Sequence, residues 1–152
     1  MKKKLSPFVI VIIILIIPAV LLFNMVFKRW YIFTDSRIER VEQVFNITLS
    51  EDTKPLRFEE KLMGQNVFIQ NMYISGVNSP EEFVKNNIHG EIELSSDMNS
   101  ADDEIKADYG TEYWYDGTKR STEFICIYKS GHYYTKAYFF KNNNGYDLKL
   151  IR

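Results

Sequence analysis

The residues from which a cysteine–histidine or serine–histidine catalytic site would have to be built include one cysteine and two histidines, Cys126, His89 and His132. A cysteine nucleophile needs a histidine within hydrogen-bond reach. A two-residue loop at Ser130-Gly131 would place Cys126 on one face of a β-hairpin and His132 on the other. His89 follows a predicted helix, where a surface position is expected. The sequence therefore predicts no catalytic dyad.

A polar, acidic stretch at residues 95–108 invites comparison with a calcium loop. Its oxygen-bearing side chains include Asp97, Asn99, Asp102, Asp103 and Glu104. An EF-hand loop beginning at Asp97 would need an oxygen ligand at its fifth position and glycine at its sixth, where this chain has Ala101 and Asp102. The motif is absent, and an irregular calcium site stays an alternative. We predict no metal site and no cofactor.

Two pairs of neighbouring carboxylates, Glu59-Glu60 and Glu81-Glu82, are the remaining candidates for acid–base chemistry. Adjacent residues of a strand face opposite ways, and acidic residues in the first turn of a helix stabilise its dipole. Neither pair is therefore expected to act as an acid–base couple. The chain also lacks a phosphate-binding glycine loop and a dinucleotide fingerprint. We predict a protein that is not an enzyme, with a carboxylate-based envelope hydrolase as the least favoured alternative.

The elements that position these side chains follow an uncharged run at residues 5–27. Lysines precede this run, and Lys28 and Arg29 follow it. This length suits a membrane-spanning helix, and no small-residue cleavage site follows it. Because a short basic tail usually stays inside, we predict a cytoplasmic tail at 1–4, a transmembrane signal anchor at 5–27 and an extracytoplasmic domain at 28–152. A cleaved signal peptide and the reverse orientation are the alternatives.

The charge of the predicted domain is unevenly distributed. Residues 28–152 carry a net charge of −4, yet residues 91–116 carry −8 and residues 117–152 carry +5. Nucleic-acid binding would require a basic face, whereas the acidic segment suits a basic protein partner. A solvated acidic loop without a partner is the alternative.

Helix signals occur twice in the first half of the domain. Ser36 and Glu39 have the spacing of a capping box before an apolar stripe, which predicts a helix at 37–45. Ser79 followed by Pro80 predicts a second helix start, with Gly90 at its end. Between them, residues 56–75 are predicted to form two strands joined near Gly64. A short strand at 91–94 and a mobile acidic loop at 95–108 follow.

The last third of the chain is predicted to be an antiparallel meander. Its strands are expected at 112–115, 122–129, 132–141 and 146–151, with turns at Asp116-Gly117, Ser130-Gly131 and Asn144-Gly145. One face of the central hairpin is uncharged and is the predicted core. It carries Phe124, Cys126, Tyr128, Tyr133, Thr135, Ala137 and Phe139.

The opposite face of the hairpin mixes charged and aromatic side chains. It carries Glu123, Ile125, Ile127, Lys129, His132, Tyr134, Lys136, Tyr138 and Phe140. Aromatic side chains next to charges suit protein–protein contacts, so this face is a candidate binding surface. The alternative is that a helix covers the face, or that only its ends are exposed.

These observations predict an α+β protein in which one transmembrane helix precedes a small domain with two short helices packed on a curved antiparallel sheet. The predicted function is binding of a protein at the outer face of a bacterial membrane, for instance as an immunity or inhibitor protein against a secreted toxin. An accessory subunit of a cell-envelope membrane complex is the alternative. The binding residues are expected to be Glu123, Lys129, His132, Tyr134, Lys136 and Tyr138 on the sheet, and Asp102, Asp103 and Glu104 in the acidic loop.

Overall fold

The computed structural model describes residues 7–63 and 67–152 and divides the chain into two compact units, Met1–Ile32 and Phe33–Arg152. The predicted cytoplasmic tail at 1–4, the first two residues of the apolar run and the predicted turn at Gly64 lie outside the described residues. The described residues form four helices, a six-stranded antiparallel sheet and a two-stranded ribbon. The predicted α+β class is confirmed.

The first unit contains helix α1, Pro7–Tyr31, with Pro18 inside it. Its large exposed apolar side chains are Ile12, Ile14, Leu15, Ile16, Ile17, Val20, Leu21, Leu22, Phe23, Met25 and Tyr31. Across the described residues, no helix has the combined length and apolar content that crossing a membrane requires.

The second unit begins with helix α2, Asp35–Phe45, two residues longer than predicted. The predicted capping box is wrong, because Ser36 lies inside the helix and Thr34 is the capping residue. The carbonyl of Thr34 accepts the amides of Arg37 and Ile38 at 2.9 Å, while its hydroxyl meets that of Ser36 at 3.2 Å. The predicted apolar stripe is confirmed, with Val41 and Phe45 fully buried.

The sheet consists of β1 (Lys54–Met63), β2 (Val67–Val77), β3 (Glu91–Asp97), β6 (Phe124–Ser130), β7 (Tyr133–Asn142) and β8 (Gly145–Ile151), in the spatial order β1-β2-β8-β7-β6-β3. Two further strands, β4 (Thr111–Tyr113) and β5 (Lys119–Ser121), form the separate ribbon. Every pair of neighbouring strands is antiparallel. β1 and β3 are the edge strands of the larger sheet. The first predicted meander strand belongs to the ribbon instead.

The hairpins of the meander turn one residue away from the predicted positions. Cys126 pairs with Ala137 and Lys129 with Tyr134, so the β6–β7 loop is Gly131-His132 rather than Ser130-Gly131. Asn142 likewise pairs with Gly145 across the β7–β8 loop. Each glycine has a positive φ, 61° at Gly131 and 131° at Gly145, which side-chain-bearing residues rarely adopt. The prediction centred each loop on its glycine, whereas in the structure the glycine lies at the edge of the turn, where the positive φ is required.

One face of the sheet packs against α2 and helix α3, Pro80–Asn87. Ser79 caps α3 as predicted, because its hydroxyl accepts the amide of Glu82 at 3.3 Å. Helix α3 contributes Phe83, whose ring lies edge-on to Phe139 at 6.0 Å. The predicted core face is confirmed, with Tyr133 as the exposed exception.

The predicted acidic loop is wrong, because residues 95–108 are largely ordered. Strand β3 extends to Asp97, a turn follows, and helix α4 spans Asp103–Tyr109. The helix continues into the β4–β5 ribbon, and together they pack on the second face of the sheet. A second core forms there from Tyr73, Met98, Ala101, Trp114, Ile125, Tyr138 and Phe140. The chain therefore has two short helices on one face of its sheet and a third helix on the other.

Candidate binding surface

Helix α4 and the β4–β5 ribbon cover part of the second face of the sheet, and the part near the Gly131-His132 loop is open to solvent. Near the Gly131-His132 loop, Lys129 Nζ lies 5.6 Å from the centre of the Tyr134 ring. Two residues further along β7, Lys136 Nζ lies 5.2 Å from the centre of the ring of Tyr109, the last residue of α4. Tyr134 is exposed, and Lys129 and Lys136 are half-buried. A cation over an aromatic ring keeps its charge available to a partner while the ring restricts its position.

The acidic residues of α4 lie on the same side of the sheet as these cations, because the helix packs against the second core. Asp102 is the N-cap, and its Oδ1 accepts the amide of Ile105 at 2.9 Å. Asp103 and Glu104 form the exposed first turn, where acidic groups stabilise the helix dipole. Because Ile105 and Tyr109 pack against the second core, the carboxylates face solvent. The acidic group of predicted binding residues and the predicted lysines are thus on the same side of the sheet, with the Lys136–Tyr109 contact between helix and strand.

Not all of the predicted residues are accessible. Tyr138 is buried in the second core, with its ring 6.5 Å from that of Tyr109. Glu123 is half-buried where β5 leads into β6, and its backbone amide donates to the carbonyl of Phe139 at 2.8 Å. His132 is exposed in the β6–β7 loop, at the end of the sheet. The exposed predicted residues are His132, Tyr134, Asp102, Asp103 and Glu104, whereas Glu123, Lys129 and Lys136 are half-buried.

Buried ion pairs fasten the β4–β5 ribbon to the sheet. Lys149 is buried, and its ammonium donates to Glu112 Oε1 at 3.2 Å and to the carbonyl of Tyr113 at 2.7 Å. Arg120 donates to Asp147 Oδ2 at 2.7 Å, with its guanidinium 4.5 Å from the Trp114 ring. Buried charges are retained where partners compensate the lost hydration. These pairs hold the ribbon on the second face of the sheet.

Cys126 does not have the environment of a nucleophile. It is fully buried, and burial raises the pKa of its thiol to about 12, which keeps the thiol neutral at physiological pH. His132 lies in the loop beyond the other end of the strand. His89 is exposed, and its Nε2 lies 2.7 Å from the hydroxyl of Thr48. Within the described ranges, no group of three His, Cys, Asp or Glu side chains is arranged to hold a metal.

Carboxylates do line two of the clefts. One cleft of about 250 Å³ contains Asp52 and Glu82 among hydroxyl and amide side chains. Another, of about 350 Å³, contains Glu123 and Asp147. In the second cleft both oxygens of Asp147 are engaged, since Asn142 donates to Oδ1 at 2.8 Å and Arg120 to Oδ2. Asp147 thus serves to hold the ribbon.

The sequence reasoning missed the exposed apolar side chains at the end of the sheet. Leu62, Phe68 and Tyr133 are each about three-fifths exposed. Leu62 and Phe68 face each other across β1 and β2, and this pairing follows from the hairpin that the sequence predicted. Their exposure could not be foreseen, because it depends on where α2 crosses the sheet. Helix α4 was missed as well, although Asp102, Ile105 and Tyr109 have the spacing of a capped helix.

No protein-family model, curated protein or solved structure matches this chain.

Proposed function

We propose that this protein is a membrane-anchored, non-catalytic domain that binds another protein through the α4–β7 surface, defined as Asp103, Glu104, Tyr109, Lys129, Tyr134 and Lys136. The observation that carries the proposal is the placement of Lys136 over the ring of Tyr109, because this contact joins the acidic helix to the basic strand. The sequence alone did not predict that the acidic segment and the basic strand would be in contact. The carboxylates of α4 and the ammonium groups of β6 and β7 therefore lie on one side of the sheet.

The chemistry of the surface favours a protein as its ligand. Tyrosines contribute apolar area with a polar tip, and protein interfaces are enriched in them. Exposed carboxylates on α4 and ammonium groups on β6 and β7 would select a partner with both signs of charge in the complementary order. A secreted toxin intercepted at the membrane is one such partner, and in that version the chain acts as an immunity or inhibitor protein.

The rigidity of the surface also supports binding. The second core fixes α4 through Ile105 and Tyr109, and the buried Lys149–Glu112 pair fixes the ribbon that follows it. A preorganised surface loses less conformational entropy on association than a mobile loop. Binding here would consequently require little rearrangement of the domain.

Membrane anchoring is the second part of the proposal, and its main support is the amino-acid sequence. The uncharged run at residues 5–27 has the length that suits a hydrocarbon core of roughly 30 Å. Its described apolar side chains from Ile12 to Met25 are exposed. Apolar side chains that are exposed over several turns of a helix favour lipid as the surrounding medium. The basic residues before the run favour an extracytoplasmic domain.

Site-specific photocrosslinking of the full-length protein in its producing cells would test the proposal. A photoreactive amino acid at Tyr134 is expected to give one discrete protein adduct, whereas the same residue at Asn143, in the β7–β8 loop, gives none. The double variant Lys129→Glu/Lys136→Glu should abolish the Tyr134 adduct without altering the amount of protein in the membrane. Equal crosslinking from both positions, or an adduct unaffected by the charge reversals, would contradict the proposed surface.

A further inference from the structure

The end of the sheet that carries the Gly131-His132 loop presents an exposed apolar patch. Leu62 is 61% exposed, Phe68 is 63% exposed and Tyr133 is 60% exposed. Leu62 and Phe68 are paired across β1 and β2, and Tyr133 begins β7. We call these three side chains, together with Arg152, the sheet-end patch. Apolar side chains scattered singly need no explanation, but grouped ones usually mark a contact surface.

A cleft runs from this patch toward α2. It measures about 400 Å³ and is lined by Val44, Phe68, Gln70, Tyr133 and Arg152. The guanidinium of Arg152 stacks over the Tyr133 ring at 4.4 Å, which leaves its outer donors directed away from the ring. Val44 of α2 forms the wall of the cleft, so the patch lies on the helix-covered face but beyond the helix. It combines apolar side chains with a fixed cation.

The two ends of the sheet differ in charge. The sheet-end patch is accompanied by the cations of Arg40, Lys61, Lys129 and Arg152 and by the carboxylates of Glu60 and Glu91. Glu60 accepts from Arg40 at 2.9 Å, and Glu91 pairs with Lys129 across β3 and β6, so cations exceed carboxylates at this end. The opposite end holds the start of β1, the start of α3 and the end of β3. Its acidic residues are Glu51, Asp52, Glu81, Glu82 and Asp97, which outnumber the basic Lys54 and Lys141 at the same end. An anionic surface would therefore attract the patch and repel the opposite end.

We propose that the sheet-end patch rests in the interfacial region of an anionic lipid bilayer. Leu and Phe side chains would enter the acyl boundary, Tyr133 would occupy the headgroup level and Arg152 would bind lipid phosphate. This inference rests on the proposed membrane anchor, which would keep the domain beside lipid. A protein interface of comparable apolarity would not by itself explain the cations on one end and the acidic groups on the other.

Site-directed spin labelling of the full-length protein tests the inference. Single cysteines replace Leu62, Phe68 or, as the control at the opposite end, Asn143, and each carries a nitroxide. The native thiol of Cys126 stays unlabelled because it is buried. Accessibility to lipid-soluble oxygen and to a water-soluble nickel chelate is measured in nanodiscs of phosphatidylcholine, with and without phosphatidylglycerol.

Labels at positions 62 and 68 are expected to be more accessible to oxygen than to the nickel chelate, with a larger difference in the phosphatidylglycerol nanodiscs, whereas the label at 143 behaves as in water. Two outcomes would overturn the inference. In the first, the label at position 62 has the same oxygen and nickel accessibility as the label at 143. In the second, the label at 62 is shielded from both reagents, which would indicate that a protein or a second copy of the chain covers the patch. Failure of the anchor itself is distinguished by flotation, because the unlabelled chain would then not migrate with liposomes.

Discussion

The hydroxyl of Tyr128 donates a hydrogen bond of 2.7 Å to the backbone carbonyl of Phe45, 83 residues earlier in the chain. Tyr128 is buried in the centre of β6, and Phe45 is the last residue of α2. The carbonyls of a last helical turn lack partners within the helix. The phenol therefore satisfies one of them and fixes the end of α2 over the sheet.

Replacing Tyr128 by Phe is expected to lower the free energy of unfolding by about 1–3 kcal/mol, because the carbonyl of Phe45 would stay buried without this donor. The ring and its packing are preserved, so the loss reports the hydrogen bond. Urea denaturation measures the change, and the exposed Tyr134→Phe is the matched control. A loss no larger than that of the control would mean that water replaces the phenol.

The Lys149–Glu112 pair yields a second prediction. Glu112→Gln removes the compensating charge from a buried ammonium, and breaking such a pair costs up to roughly 3–5 kcal/mol. The cost should approach the lower end of that range, because Glu112 is only half-buried. Lys149→Met removes the ammonium and keeps the aliphatic stem, so it should destabilise the domain less than Glu112→Gln. Urea denaturation ranks the two variants, with the exposed Lys119→Met as control, and the reverse order would contradict the account.

The buried ionisable groups predict a loss of stability at alkaline pH. Burial raises the pKa of the Cys126 thiol to about 12 and raises the pKa values of the Tyr73, Tyr128 and Tyr138 hydroxyls. As pH rises past about 9 to 10, these groups ionise in the unfolded chain first, so the unfolded state binds fewer protons and stability falls.

This alkaline loss is measured by urea denaturation at a series of pH values, with tyrosinate absorbance recorded in parallel. Tyr138→Phe should flatten the decline of the free energy of unfolding above about pH 10, because it removes one of the groups that ionise on unfolding. The exposed Tyr134→Phe is the matched control. A slope that is identical in both variants would show that Tyr138 does not contribute.

The cap of α4 can be tested separately. Asp102→Ala removes the acceptor for the amide of Ile105 and is expected to lower the free energy of unfolding by about 0.5–2 kcal/mol. Asp103→Ala, in the first turn, removes the same charge without removing the cap. Amide hydrogen exchange should accelerate within Asp103–Tyr109 in the first variant only. Equal exchange in both would indicate that charge near the helix start, rather than capping, holds α4.

The faces of the β6–β7 hairpin could be predicted even though its register could not. The predicted loop paired Cys126 with Thr135, two residues from its actual partner Ala137. Because side chains alternate with a period of two, a shift of two residues leaves every side chain on its predicted face. The core assignment survived for this reason. A register error of one residue, or of any odd number, would instead have moved every side chain of one strand to the wrong face.

Helix α4 illustrates what the local sequence does not reveal. Its seven residues include Asp103, Glu104 and Asp108, and so short an acidic segment has little helical tendency of its own. The helix depends on Ile105 and Tyr109 packing against strands far away in the sequence. The same long-range packing decides which half of the mixed face is open, so the binding surface could be predicted by residue type but not by extent.

The two edges of the sheet bear on how the protein behaves at high concentration. Strand β3 leaves one row of backbone donors and acceptors unpaired within the sheet, a template on which a second molecule could add. An antiparallel copy centred on Leu94 would set Glu91 against Asp97 in both directions. The resulting repulsion, together with the irregularity at Ile92/Leu94, disfavours growth of fibrils from this strand. At the other edge of the sheet, the pairing of β1 is irregular between Pro55 and Arg57, which also disfavours the addition of a strand from a second molecule.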